Sequence, residues 1–391
     1  MFDAVTLESL RQRPGVKWGA VAPGVLPAWI ADQDFPVAAP VRDALLRNLD
    51  ADLGYPAWDD HPEANPLNQA FAERMKSRHD FVLDPGHVRL FTDLIQALQV
   101  VLHVATRPGD TVAMHVPAYP PFLQTLTDMN RRLLPIPMVD DGDGWSFDTQ
   151  RLAEDVARHG CRVLLLVNPH NPTGRVMSHR ELSALAEIAA RHDLLVISDE
   201  IHADLTYEPN RHIPIASLSP DTAARTVTLT SAGKAFNLAG LRCSVAHVGD
   251  ERVRRALESQ PPLLFGEVSS LSVLATLAAW QEGDAWLAEA RATLTRNRRM
   301  VAESLPTGIR HHLPEATYLA WLDCRALGLD TDPTAFFLDH AGVRLSPGSD
   351  FGPGGDGFTR LNFATSRGVL EEILHRMRTA VDRRAPDPAT R

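Results

Sequence analysis

Short apolar runs alternate with longer amphipathic stretches between residues 88 and 249, and this alternation limits the fold more than any other feature. The runs at 161–167 (CRVLLLV) and 194–198 (LLVIS) are continuously apolar, as strands buried on both faces are. Similar strand-sized runs lie at 88–92, 111–116, 226–231 and 243–249. Helix-like stretches separate them, so the pattern predicts an α/β fold with a mostly parallel central sheet.

The last hundred residues have a different pattern. After a long helical stretch at about 285–304, strand-like runs and helices follow in an order typical of a smaller α+β domain. We therefore expect an N-terminal segment (1–45) that packs with the small domain, a large domain (46–284) and a small C-terminal domain (285–391).

Charge and cysteine content argue against several classes of function. The formal net charge is −10, with 39 Lys and Arg against 49 Asp and Glu, which disfavours nucleic acid as the main partner. The cysteines at 161, 243 and 324 have no metal-like or redox-like spacing, which predicts a reducing compartment and no metal site. No apolar run has the length of a membrane span or signal peptide, so we expect a cytoplasmic protein that does not enter a membrane.

Lysine is rare in this chain. It occurs only at positions 17, 76 and 234, and arginine supplies the other 36 of the 39 basic residues. Chance or codon bias would explain any single lysine. Schiff-base chemistry would also explain one, because it needs an amine that can lose its proton, which a guanidinium does not do.

Lys234 lies just after the apolar run at 226–231, among small residues that let a bulky group approach the backbone. Ser231 can donate a hydrogen bond to a phosphate, and Arg242 can add a charge-assisted one. The alternative is a polar connection between a strand and a loop in which the lysine is incidental.

The loop NPHNPTG, residues 168–174, directly follows a run predicted to be a buried strand. Two Asn-Pro pairs and a glycine predict an unusual, well-defined turn. Ligands bind at strand ends in open α/β sheets, so such a loop can direct Asn171 at a ring oxygen.

The acidic pair Asp199–Glu200 ends another apolar run. A carboxylate there is costly unless it is solvated or paired. Placed against a pyridine nitrogen, it would keep that nitrogen protonated and make the ring an electron sink. An ordinary exposed strand end is the alternative.

Taken together, the segments 168–174, 199–200 and 231–234 resemble, in order and spacing, the motifs of fold-type-I pyridoxal phosphate (PLP) enzymes, the aspartate aminotransferase superfamily. The resemblance implies the fold-type-I transferase fold, PLP as the cofactor and the large domain as its binding site. It also implies a small-molecule amino-acid substrate.

The resemblance implies roles for individual residues. Lys234 would form a Schiff base with PLP, and Asp199 would pair with the pyridine nitrogen. Asn171 would bind the phenolic oxygen, while Ser231 and Arg242 would bind the phosphate.

Further segments look like those of cystathionine β-lyases of the MalY/PatB type, and this resemblance runs from about residue 15 to 380. These segments are WIADQDF at 29–35, GYP at 54–56, VPAY at 116–119, TYLAWLD at 317–323 and FTRLNF at 358–363. The resemblance implies that Tyr119 stacks on the cofactor ring and that Arg360 binds the substrate α-carboxylate, with Ala31 and Asn171 beside the substrate. It also implies that Tyr55 reaches the phosphate of a neighbouring protomer, in a homodimer with shared active sites.

Some positions depart from the wider superfamily. Asp93 stands where many relatives have a glycine in the phosphate cup, so Asp93 and Leu94 are expected to bind through backbone N–H groups, with the Asp93 carboxylate pointing away. His202 stands where aminotransferases usually have a tyrosine beside the cofactor, and the lyase group shares the sequence Asp-Glu-Ile-His. Arg242, in contrast, departs from the lyase group, because many lyases of this group lack an arginine there.

These motifs identify the cofactor better than the reaction. The lyase resemblance predicts β-elimination from cysteine S-conjugates, such as cystathionine, to give pyruvate, ammonia and a thiol. An aminotransferase would share the early steps and is the first alternative. A non-catalytic PLP-binding regulatory protein is the second, although no DNA-binding segment is visible in the sequence.

Overall fold

The structure, a computed structural model, describes residues 2–59, 61–261 and 263–384. The strands in these ranges are β1 (Leu26–Pro27), β2 (Val88–Phe91), β3 (Thr111–Val116), β4 (Arg132–Pro137), β5 (Val139–Asp140), β6 (Trp145–Ser146), β7 (Cys161–Val167), β8 (Leu195–Asp199), β9 (Thr226–Thr230), β10 (Ser244–Val248), β11 (Leu319–Asp323), β12 (Val343–Arg344), β13 (Ser346–Pro347) and β14 (Phe358–Asn362). The α-helices there are α1 (Leu7–Arg11), α2 (Val16–Gly19), α3 (Ala39–Ala51), α4 (Pro66–His79), α5 (Leu94–Ala105), α6 (Pro120–Asp128), α7 (Thr149–His159), α8 (His179–Arg191), α9 (Pro220–Ala224), α10 (Ala232–Ala235), α11 (Glu251–Glu258), α12 (Ser270–Glu282), α13 (Asp284–Ser304), α14 (Pro333–Ala341) and α15 (Arg367–Arg384).

Seven strands form the central sheet, in the order β2-β10-β9-β8-β7-β3-β4. β10 runs antiparallel to both of its neighbours, and the other adjacent pairs are parallel. The mostly parallel central sheet predicted from the sequence is therefore confirmed.

Strand β7 shows why these strands are continuously apolar. Val163 and Leu165 belong to one buried cluster, which also contains apolar side chains of α5 and α6. Leu164 and Leu166 belong to a second cluster with side chains of α7 and α8. Successive side chains of a strand point to opposite faces, so helices cover both faces and each strand residue is buried.

Helix boundaries follow local signals in the sequence. At the start of α8, Ser178 Oγ accepts a hydrogen bond from Glu181 N, and Glu181 Oε2 accepts one from Ser178 N at 2.9 Å. This reciprocal arrangement is a capping box and satisfies two free N–H groups of the helix end.

Within the described ranges, no helix has the length and apolar character needed to cross a membrane.

The C-terminal part contains a second, three-stranded antiparallel sheet in the order β11-β14-β13. The N-terminal segment is attached to this part of the chain by a separate two-stranded sheet, in which β1 pairs in parallel with β12 and Leu26 lies opposite Val343. Phe35 and Leu370, far apart in sequence, belong to the same buried cluster. The segment that follows β1 is thereby held next to the central sheet.

Candidate active site

Chemically active side chains follow neighbouring strands at one edge of the central sheet. Asn171 follows β7, Asp199 ends β8 and Lys234 follows β9. Because these strands are parallel neighbours, their carboxyl ends meet at the same edge. β10 runs the opposite way, so its amino end lies at this edge too, and Arg242 lies two residues before that strand.

Residues 29–35, here called the N-terminal strap, cross this edge. The carbonyl oxygen of Ala31 accepts hydrogen bonds from Lys234 Nζ at 2.7 Å and from the Tyr318 hydroxyl at 2.8 Å. The carbonyl oxygen of Trp29 accepts one from Arg360 Nη2 at 3.2 Å. Alternate carbonyls of one short segment thus hold a lysine and an arginine.

The Lys234 side chain is partly buried, and this burial lowers the pKa of its amine. The carboxylates of Asp32 and Asp199 act in the opposite direction, whereas Arg360 lowers the pKa further. The net lowering increases the fraction of neutral amine, which is the form that can act as a base or nucleophile.

Asp199 is 4% exposed, and burial raises the pKa of its carboxyl to about 7. Its Oδ1 accepts a hydrogen bond from Ile201 N at 3.0 Å, and no ion pair holds it in the part of the chain that the structure describes. The adjacent Glu200 is also buried, but it accepts hydrogen bonds from Ser198 and pairs with His212 at 2.9 Å. Asp199 therefore differs from its neighbour in having no side-chain hydrogen-bond or ion-pair partner among the described residues.

Arg360 extends from β14 and is 4% exposed. Its Nη1 donates to Asn171 Oδ1 at 2.9 Å, and its guanidinium lies 4.8 Å from the centre of the Phe351 ring. Burial lowers its pKa to about 10, so it remains a cation at neutral pH. The predicted substrate arginine and the predicted asparagine are thus in direct contact.

His202 and Tyr119 complete this end of the site. Burial, together with the nearby charges of Lys234 and Arg360, lowers the pKa of His202 to about 3, so its imidazole is neutral. Burial raises the pKa of the Tyr119 hydroxyl, and the charges of Arg360, Asp199 and Asp93 also act on it. Charged residues of both ends of the site therefore act on the Tyr119 hydroxyl.

Asp93, Leu94, Ser231 and Arg242 lie at the other end. The expectation that the Asp93 carboxylate points away is wrong: its Oδ1 accepts from Gln96 N at 2.8 Å and caps α5. Its Oδ2 pairs with Arg242 Nη1 at 2.9 Å. A carboxylate is a good acceptor for the free N–H groups of a helix start, which is the physical reason it stays there.

Ser231 is similarly engaged. Its hydroxyl donates to Cys243 O at 2.6 Å and accepts from Gly233 N at 2.9 Å, which caps the short helix α10. Contact with a phosphate would require the hydroxyl to turn away from Cys243.

Tyr55 lies apart from these residues within one chain. It sits between α3 and α4 and is 94% exposed. Its predicted contact with a neighbouring protomer stays a prediction.

Three residues that we did not assign from the sequence also contact the site. Tyr318 donates to Ala31 O, while Gln33 and Asn237 join the N-terminal strap to the Lys234 segment. Tyr318 and Gln33 lie in segments already noted for their resemblance to lyases, so their neighbourhood was detectable. Their hydrogen-bond partners were not, because these lie about 200 or more residues away in the chain.

Comparison with known proteins decides the family. The description "Aminotransferase class I and II" matches residues 35–377. The chain belongs to this family. Its match begins at the end of the N-terminal strap and includes the site residues named above, except those of the strap that precede residue 35, such as Trp29, Ala31 and Gln33.

Several proteins that match this chain over nearly the whole length of both sequences carry lyase names. Cystathionine beta-lyase of Corynebacterium glutamicum is 33% identical over 95% of this chain and 98% of its own. Cystathionine beta-lyase PatB of Bacillus subtilis is 33% identical over 91% and 92%. The structure of the PLP-bound C–S lyase from Staphylococcus hominis matches with a TM-score of 0.90, at 28% identity over 99% of this chain and 100% of that one.

Proposed function

We propose that this protein is a PLP-dependent carbon–sulfur β-lyase that acts on cysteine S-conjugates such as cystathionine. The observation that carries the proposal is the N-terminal strap, where Ala31 O holds the Lys234 amine and Trp29 O holds the Arg360 guanidinium. These contacts support the proposal, because they bring together the proposed base and the proposed carboxylate anchor that proton removal from the Cα of an amino acid requires. The lyase names of relatives that match nearly the whole chain favour elimination.

The residues at the sheet edge fit pyridoxal phosphate. Arg360 Nε and His202 Nδ1 are buried and have no hydrogen-bond partner among the residues that the structure describes. Asp199 is a buried carboxylate whose charge a protonated ring nitrogen would balance. When bound, PLP supplies an electron sink for the Cα of the substrate.

Each group of residues would hold a different part of the cofactor. Lys234 would bind it covalently, Asp199 would face the ring nitrogen, and Tyr119 would lie against the ring. The phenolic oxygen would be held by Asn171 and His202. The phosphate would be held by backbone N–H groups at the start of α5 and by the side chains of Ser231 and Arg242.

The chain's own residues then carry the proton chemistry. Arg360 binds the α-carboxylate through Nε and a neighbouring Nη, while Asn171 and Trp29 O fix the orientation of its guanidinium. Lys234, whose pKa is lowered by burial, takes the Cα proton as the general base. Asp199, with Oδ1 fixed by Ile201 N, keeps a negative charge beside the ring nitrogen.

Elimination then breaks the Cβ–S bond. The sulfur leaves with the bonding electron pair and takes up a proton to become a thiol. The remaining three-carbon unit gains water and separates as pyruvate and ammonia, so one water is consumed for each thiol formed.

We also propose that the protein is a homodimer in which Tyr55 reaches the phosphate site of the partner subunit. Tyr55 is 94% exposed, and Leu49 and Leu53, which precede it, are exposed by 51% and 64%. Large apolar side chains close together at a surface are typical of a protein contact.

One assay tests the reaction. Purified holoenzyme is given cystathionine, without any 2-oxo acid, and pyruvate, ammonia and thiol are measured. The lyase proposal predicts the three products in equal amounts. Product formation only after addition of a 2-oxo acid would identify an aminotransferase instead, and PLP binding without turnover of any amino acid would indicate a regulatory protein.

A further inference from the structure

Two amide side chains join the N-terminal strap to the segment that carries Lys234. Gln33 Nε2 donates to Lys234 O at 2.6 Å and to Ala235 O at 3.4 Å. Asn237 Oδ1 accepts from Gln33 N at 3.1 Å, and its Nδ2 donates to Gln33 O at 3.0 Å and to Phe35 O at 3.1 Å. Gln33 and Asn237, here called the amide pair, thus bind each other's segments reciprocally.

The amide pair exists despite unfavourable features on both sides. Gln33 is 3% exposed, and its Oε1 is buried without a hydrogen-bond partner in the described parts of the chain. An unsatisfied buried carbonyl is destabilising. Asn237 has a φ of +58°, in the left-handed region that asparagine tolerates better than most residues. Neither feature would be needed if these two segments only had to pack together.

The geometry explains what the amide pair adds. Gln33 donates a hydrogen bond to the backbone carbonyl of Lys234, and the side-chain amine of Lys234 donates one to Ala31 O. Both ends of this lysine therefore rest on residues 31 and 33 of one segment. A shift of the N-terminal strap would move the base and its acceptor together.

We propose that Gln33 and Asn237 are positioning residues that hold the Lys234 segment in one register against the N-terminal strap, and so fix where the Lys234 amine lies between proton transfers. The proposal rests on the proposed function for the assignment of Lys234 as the base. It adds that the amide pair acts through Lys234 and touches neither substrate nor cofactor.

A cleft of about 290 Å³ borders the amide pair. Water can therefore reach these hydrogen bonds once one of them is lost, and the segments can separate without a large rearrangement. Methionine has nearly the length of glutamine but no amide, so Gln33→Met removes the contact and keeps most of the packing.

The charges around the Lys234 amine stay the same in this variant. They belong to Asp32, Arg360, Asp199 and Arg242. A change in the titration of the Lys234 amine in Gln33→Met therefore reports a change in its position, because one neutral side chain replaces another.

The test uses holoenzyme of the wild type, Gln33→Met and the control Gln150→Met, which changes an exposed glutamine of α7. We expect faster hydrogen exchange in residues 29–35 and 232–238 in Gln33→Met alone. We also expect a shift of about half a pH unit or more in the midpoint of the cofactor absorbance titration. On cystathionine, kcat should fall roughly tenfold or more while KM changes less than twofold.

A second pair of variants covers the case in which Gln33→Met does not fold. Asn237→Gly tolerates the positive φ and loses all three contacts, whereas Asn237→Asp keeps the acceptor for Gln33 N. We expect the larger effects in Asn237→Gly. In Asn237→Asp only hydrogen exchange is compared, because the added negative charge itself acts on the Lys234 amine, and the exchange should be intermediate. An unchanged absorbance titration in Asn237→Gly, with or without faster exchange, would overturn the proposal. Exchange and absorbance are measured without substrate, so they remain informative if cystathionine is not turned over.

Discussion

The two ends of the active site handle charge in opposite ways. At the end that we propose holds the cofactor ring, here called the ring end, Asp199 and Arg360 are each 4% exposed, and burial displaces their pKa values to about 7 and about 10. At the end that we propose holds the phosphate, here called the phosphate end, the ion pair of Asp93 and Arg242 has side chains that are 35% and 66% exposed. Water screens exposed charges, so a pair of this kind contributes about 0 to 1 kcal/mol. Substitutions should therefore have large effects at the ring end and small ones at the phosphate end.

The largest expected effect is that of Lys234→Ala. Loss of the general base should lower kcat roughly 1000-fold, because proton transfer by a positioned side chain contributes about 100-fold to 10,000-fold. Steady-state pyruvate release measures it. Lys76→Ala, at an exposed lysine of α4, is the matched control and should keep wild-type turnover. Substantial activity in Lys234→Ala would refute its assignment as the base.

The second largest effect is expected for Asp199→Asn, which should lower kcat roughly 100-fold. Asparagine has nearly the same shape but no charge, so it cannot balance a protonated ring nitrogen. Turnover of cystathionine and the cofactor absorbance spectrum measure the change. Glu200→Gln, at the neighbouring carboxylate, should have a much smaller effect on kcat. Equal losses in the two variants would mean that Asp199 has no special role.

The raised pKa of Asp199 predicts how the stability of the cofactor-free protein depends on pH. The pKa of Asp199 is raised from 3.8 in the unfolded chain to about 7 in the fold, so the folded protein binds this proton more tightly. Stability is therefore lost as the pH rises from about 4 to 7, by about 1.4 kcal/mol for each pKa unit. Urea unfolding should show that apo Asp199→Asn is more stable than apo wild type at pH 8, with the difference vanishing below pH 4. A pH-independent difference would contradict the raised pKa.

Arg360→Lys should have an intermediate effect. Lysine keeps the positive charge but cannot form a two-pronged pair with a carboxylate, so KM for the amino acid should rise roughly tenfold, about 1.4 kcal/mol. Initial rates over a range of cystathionine concentrations measure it. The control Arg344→Lys changes an arginine that lies over Trp29 on the N-terminal strap, and its KM should change less.

The smallest effects are expected at the phosphate end. Arg242→Gln should weaken PLP binding about threefold to tenfold, more at low salt, because it removes an exposed positive charge. Asp93→Asn keeps a good helix cap and removes a negative charge, so PLP binding should stay equal or become slightly tighter. Titration of apo-protein with PLP at two salt concentrations measures both. A loss in Arg242→Gln as large as that in Asp199→Asn would remove the contrast between the two ends.

Motif residues near strand ends were predictable because their positions follow from local patterns. The strands around Asn171, Asp199 and Lys234 are marked by apolar runs, and parallel strands bring their ends together. The division into segments 1–45, 46–284 and 285–391 stays a prediction. The orientation of the Asp93 carboxylate was predicted incorrectly, because its bonds to Gln96 N and Arg242 depend on distances that the sequence does not give.

The sequence by itself determined the α/β fold and the order of the motifs, since these depend on local periodicity and residue chemistry. The resemblance of those motifs to PLP enzymes predicted that Lys234 binds the cofactor. Only the tertiary structure decided that the N-terminal strap lies across the sheet edge, with Ala31 O on Lys234 and Trp29 O on Arg360. It also decided that, among the described residues, Glu200 has side-chain partners whereas Asp199 has none. Burial and hydrogen bonding depend on residues distant in sequence, and these set the pKa values on which the chemistry depends.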